Sequence, residues 1–283
     1  MVRKLDTSDF RAIRMVLESS DFALVASNRE PPGDLIEPDV WHGIMDIADN
    51  VAITTTEWQG SRIGLLYGLC ADWIHVSPEG GIVGNVMFDC ADDMAASLFC
   101  LMHGYYKQAI GALRAALEGM TFACICELKG EGQRWKMWQA GEDFRFARIR
   151  QELRKVPIFQ EQEEESQETV GQTLFADRSG SYGGGWVTGL YARLSSYIHG
   201  RGDTANSNLW ESNGPIYSAR GMKASYTCFL ETYALLLLMA KTAFPDLAMP
   251  PQASLLFDEV NAKSFLSRAD RPLCVSLGAK LFK

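Results

Sequence analysis

Apolar residues recur at three- and four-residue steps through Leu98, Leu101, Met102, Tyr105, Ala109, Ala112, Leu113, Ala116, Leu117 and Met120. This is the repeat of one side of an α-helix. It predicts a single central helix that starts at Asp92 or Asp93, either of which can cap it, and runs without proline to about Leu128. The same spacing predicts helices over 9–18 and over 39–48, where Val40, Trp41, Ile44 and Ile47 share a side behind the cap Asp39. Another is expected over 62–75, with Ile63, Leu65, Leu66, Leu69, Trp73 and Ile74 apolar, and one over 132–155, ending before Pro157. Two more follow, over 186–199 with Gly200 as the residue that closes it, and over 226–244.

The segments between these are less regular. The stretch 29–38 (REPPGDLIEP) is a proline-rich connector, and 51–58 (VAITTTEW) is ambiguous because it is β-branched yet lies between helical patterns. After the turn Pro78-Glu79-Gly80-Gly81, the run IVGNVMF reads as a short strand or an irregular link. The acidic run 161–168 (EQEEESQE) reads as a solvated loop or a frayed helix end, 179–185 (SGSYGGG) as a hinge, and 201–215 as a polar loop. The expected fold is therefore all-α. A helical bundle occupies 91–245, a mainly helical extension precedes it over 1–90, and a peripheral tail follows over 246–283.

Composition narrows the class. With 47% hydrophobic and 22% charged residues in 283, the chain is an ordinary globular one with material for a large core. A net charge of −8 argues against wrapping nucleic acid by charge alone, while leaving room for a small local basic site. Seven cysteines, an odd number without a regular framework, read as reduced core residues. The N-terminal stretch MVRKLDTSDFRAIRMVLESSDF lacks an apolar secretory segment, and the apolar run 233–240 is flanked by Glu231 and Lys241 and is too short to span a bilayer. A cytoplasmic location without membrane association is expected.

Two groups of polar residues carry candidate chemistry. On the predicted central helix, His103, Lys107, Arg114 and Glu118 fall within about 60° of one another on the helix circumference. If buried, Arg114 and Glu118 satisfy each other as an i, i+4 pair, with Glu118 also able to accept from His199. His103 and Lys107, more than a turn away, are candidates for contact with a ligand or a partner subunit. The segment YARLSSYIHGR places Tyr191, Ser195 and His199 on one stripe and Arg193 with Tyr197 on a second. A histidine in the last turn of a helix is favoured as imidazolium by the helix dipole. It suits proton transfer at a ribose hydroxyl, with the neighbouring Arg193 stabilising a phosphate. The same histidine also suits capping of helix carbonyls.

Other chemistries find less support. His42, His75, His103 and His199 show no metal-ligand spacing, and Cys124-Ile125-Cys126 lacks the two-residue gap of a zinc knuckle, so no metal and no cofactor are expected. The glycine runs lack a Walker lysine, and Ser195 with His199 lacks the nucleophile elbow of a serine hydrolase.

Read together, HGYYKQAIGALRAALE at 103–118 and YARLSSYIHG at 191–200 resemble the paired helices of HEPN-like bacterial proteins, over about half the chain. The resemblance implies an all-helical bundle of a kind found in toxin, anti-phage and CRISPR-associated systems. Its nuclease members carry an Arg followed after four to six residues by a His and cleave RNA without metal, commonly at a site completed by dimerisation. Arg193 and His199, with five residues between them, fit that spacing, whereas Leu194 stands where many such nucleases place a polar residue. The resemblance thus implies a metal-independent endoribonuclease with Arg193 and His199 catalytic, and with Arg114, Glu118, Ser195 and Tyr197 in support. RNA would be the substrate, a second copy the partner, and a regulatory protein a further one. Many HEPN-like proteins are instead non-catalytic modules that bind a protein or nucleotide partner.

Overall fold

The computed structural model describes residues 38–76, 80–176, 184–198, 215–267 and 270–282. Every element in them is a helix, and no strand occurs among the described residues. The helix over 9–18, the connector 29–38 up to Glu37, the hinge apart from Gly184 and Gly185, the polar loop before Pro215, and His199 with Gly200 lie outside them. Residues 47–283 form one compact unit.

Helix α1, Pro38–Val76, joins two expected helices through the ambiguous VAITTTEW stretch. Three consecutive threonines lie within it, each hydroxyl turned back to donate to the carbonyl four residues earlier: Thr54 to Asn50, Thr55 to Val51 and Thr56 to Ala52, at 2.8–2.9 Å. Gln59, at φ −128°, then kinks the helix. Leu66, Leu69 and Trp73 bury its far end in the core.

The long central helix of the sequence reading is a hairpin of two. Helix α2 covers Gly81–Met102 and α3 covers Tyr106–Lys129. Gly104, at φ +78°, breaks them apart, and a Cβ there would lie 2.3 Å from the carbonyl oxygen of Ile216. IVGNVMF is accordingly neither strand nor link but the start of α2. Its first amides are satisfied by the Glu127 carboxylate from the opposite end of α3, which accepts from Ile82 N and Val83 N. Val83, Val86, Met87, Cys90, Met94, Leu98 and Leu101 then face the core at helical spacing.

The expected single helix over 132–155 is also two, α4 (Gly132–Gln139) and α5 (Phe146–Arg154). Gly141, at φ +95°, turns the chain between them. Arg134 braces the turn, pairing with Glu131 and Glu152 while its guanidinium lies over Phe122 and Phe144.

Of the two readings of the acidic run, loop or helix end, the helical one is nearer: the run forms the C-terminal part of α6, Pro157–Thr169. Glu163 is buried in it because its Oε1 accepts from the backbone amides of Leu174 and Phe175, and Gln162 donates to Thr242. Glu161, Glu164, Glu165 and Glu168 remain exposed on the other side.

Helix α7 is Trp186–Ile198. Helix α8, Ala219–Ala243, starts a turn and more earlier than expected because Ser218 caps it, its Oγ accepting from Gly221 N. The stretch after Pro245, expected as a peripheral tail, forms α9 (Ser254–Phe257), α10 (Ala262–Phe265) and α11 (Arg271–Leu281). Leu256, Ala262, Leu273, Cys274 and Leu277 are buried in the main core, so this segment is a structural layer of the bundle. Helix α3 lies at its centre, packed against α2, α5, α7 and α8. By length and composition α3 is apolar enough to cross a membrane, and here that surface is mostly buried against its neighbours.

Candidate functional site

The hairpin redistributes the polar face of the central segment. Lys107, Arg114 and Glu118 stay together along α3, whereas His103 leaves it as the residue that ends α2. There its ring lies on Phe99, with centroids 4.0 Å apart, and its Nδ1 is 2.8 Å from the Phe99 carbonyl oxygen. Lys107 is exposed in the first turn of α3.

Arg114 and Glu118 meet α7 through Tyr191. Arg114 Nε donates to Glu118 Oε1 at 3.1 Å, Arg114 Nη2 donates to the Tyr191 hydroxyl at 3.0 Å, and that hydroxyl donates to the same Glu118 oxygen at 2.8 Å. The guanidinium also sits over the Tyr191 ring, 5.1 Å from its centroid, and Phe146 of α5 stacks on that ring at 4.0 Å. Burial pushes the Tyr191 phenol up, and its bond to Glu118 pushes it further. Burial alone would lower the pKa of Arg114, but Glu118 and Tyr191 together reverse the sign. One turn along α5 from Phe146, the largely buried Arg150 is lowered by burial, an effect that Tyr191 opposes. The network thus ties α3 to α7, with α5 stacked on it through Phe146.

Arg193 is a separate centre. It lies about 160° around α7 from Tyr191, and its Nη2 pairs with Glu231 Oε2 in the middle of α8. The Glu231 side chain is 2% exposed and that of Arg193 45%. Burial raises the Glu231 carboxyl to about 7 despite the opposing charge of Arg193, and Asp270 adds to the rise. Tyr197, on the Arg193 stripe, is half-buried, and burial with the neighbouring Cys228 raises its phenol against Arg193 and Arg220. Ser195 carries a buried hydroxyl with no hydrogen-bond partner among the described residues.

Among the described candidates, Arg114, Glu118 and Tyr191 meet on one flank of α7, where Ser195 shares the Tyr191 stripe; Arg193 and Tyr197 lie on the other, His103 stands at the hairpin turn and Lys107 in the first turn of α3. Glu118 takes its described hydrogen bonds from Arg114 and Tyr191. Glu231 escaped the sequence reading as a site residue, although a carboxylate inside the apolar run FLETYALLLLMA signals a buried charge that needs a partner. Phe146 and Arg150 carried no such signal, since aromatic and basic residues are common along a helix such as FARIRQELR.

Chemically, the Arg114 guanidinium is bonded to Glu118 and Tyr191, whereas Arg193 offers a cation anchored on Glu231 whose side chain is still nearly half exposed. Compared with family models, with curated proteins and with solved structures, the chain matches none of them.

Proposed function

We propose that this protein is a HEPN-like, metal-independent endoribonuclease with a toxin or anti-phage role, acting as a homodimer in the cytoplasm. The observation that carries this reading is Arg193, held by Glu231 yet nearly half exposed, six positions ahead of His199. In the reaction, the ribose 2′-oxygen attacks the adjacent phosphorus and the bond to the 5′-oxygen breaks. His199 takes the proton from the 2′-hydroxyl and returns one to the leaving 5′-oxygen. Arg193 stabilises the extra negative charge on the phosphate as the bonds exchange. Purified protein incubated with labelled RNA in EDTA tests the proposal. Cleavage that vanishes in both His199→Ala and Arg193→Ala supports it, and intact RNA with the wild-type protein sinks it.

A second reading has an observation of its own. Arg114, Glu118 and Tyr191 bond one another between α3 and α7, as befits a rigid helical module that binds a protein or nucleotide partner without catalysis. Intact RNA in the same assay, together with lowered melting temperatures in both variants, favours that module.

A further inference from the structure

We infer that Glu231 is the positioning residue of Arg193, its buried carboxylate fixing the guanidinium against α8 so that the remaining, exposed part of the side chain meets a phosphate. The inference rests on reading Arg193 as the phosphate-binding group.

The geometry is asymmetric in a way a chance surface pair is not. The Glu231 side chain is 2% exposed in the middle of α8, so its carboxylate cannot swing out into solvent. A carboxylate so placed must be paired. Arginine's planar fork lets one edge serve that pair while the rest of the group stays available. The titratable groups acting on the pair are Cys228 on α8, Asp270 ahead of α11 and Cys274 within it, with Tyr197 on α7 beside Arg193 and Arg220 of α8 acting on Tyr197. Arg193 is the only cation in that set that bonds the carboxylate, and Asp270 opposes its ionisation.

Consequently the anchor is itself titratable near neutrality. Ionised Glu231 holds Arg193 by charge and hydrogen bond; once protonated it releases the charge component while Arg193 keeps its own. The orientation of Arg193 should therefore follow the Glu231 proton, with midpoint at about 7.

The experiment is a pH titration of ¹⁵N-arginine-labelled protein by NMR. The Arg193 Nε–H signal, identified by its loss in Arg193→Lys, should shift with a midpoint near neutrality, and Glu231→Gln should abolish the step. In RNA cleavage, Glu231→Gln should lower kcat by about 10- to 100-fold with a smaller change in KM, as expected for a misplaced transition-state contact. An Arg193 signal that Glu231→Gln and Glu231→Asp both leave where it stands in wild type overturns the inference. So does a Glu231→Gln protein that cleaves with unchanged kcat. If the wild type leaves RNA intact yet shows the step, the ribonuclease reading fails and Glu231 still orients Arg193.

Discussion

Tyr191 and Arg114 converge on a single oxygen: the phenol donates to Glu118 Oε1 at 2.8 Å while the guanidinium donates to the same atom at 3.1 Å and to the phenol at 3.0 Å. Removing only the phenolic oxygen tests what this convergence contributes. Tyr191→Phe should cost about 1 kcal/mol in urea unfolding, since the ring keeps its stack on Phe146 and one hydrogen-bonded node is lost. Its RNA cleavage should fall if Arg114 and Glu118 orient the site through Tyr191, which by sequence spacing shares a stripe with His199, and should stay at the wild-type rate if the network only holds the helices together.

The pH dependence of stability reports on Glu231. Its carboxyl is raised from 4.5 to about 7 in the folded chain, so the protonated form is the one that folding favours. This contribution is fully present below the unfolded value of about 4.5 and is lost as pH rises through about 7. Over that window it amounts to on the order of 3 kcal/mol at most. Glu231→Gln does not ionise, so its stability relative to wild type should improve between pH 5 and pH 8 in paired urea titrations. A constant difference between the two proteins would show that Glu231 titrates alike in both states.

At the hairpin turn, Gly104→Ala meets two obstacles at once. Its φ of +78° disfavours any side chain, and the new Cβ would press on the Ile216 carbonyl at 2.3 Å. A loss of about 2 kcal/mol or more is expected, read as a lower melting temperature. An unchanged melting temperature would mean that the turn has another conformation.

Glu163→Ala should also destabilise. It strips the acceptor from the buried amides of Leu174 and Phe175, and about 2–3 kcal/mol is expected from the two orphaned donors. Amide exchange at those two positions should rise more than in the core of α8.

What the sequence disclosed depended on whether the deciding contact was local. Leu113, Leu117 and Met120 announce α3 because helical spacing is a property of neighbours. The break before it was hidden, since a lone glycine inside an apolar repeat looks tolerable until the approach of Ile216 is known. Glu163 read as one more solvated carboxylate because its partners lie more than ten residues further on. Arg193 stood out through its spacing to His199, but its partner Glu231 lies 38 residues further on, in another helix. Tyr191 was visible on the right stripe, yet only the packing of α3 on α7 reveals what it touches.

The layer formed by the last segment gives the chain's end a remote influence. Asp270 and the buried Leu273, Cys274 and Leu277 sit on the side of α8 that carries Glu231. A chain shortened at Pro245 would admit water to that carboxylate, let its proton affinity fall toward the ordinary range, and keep it ionised at neutral pH. The C-terminal layer would thus act on Arg193 through Glu231, by excluding water and by the charge of Asp270, so a truncated protein would report on a different electrostatic state of α7.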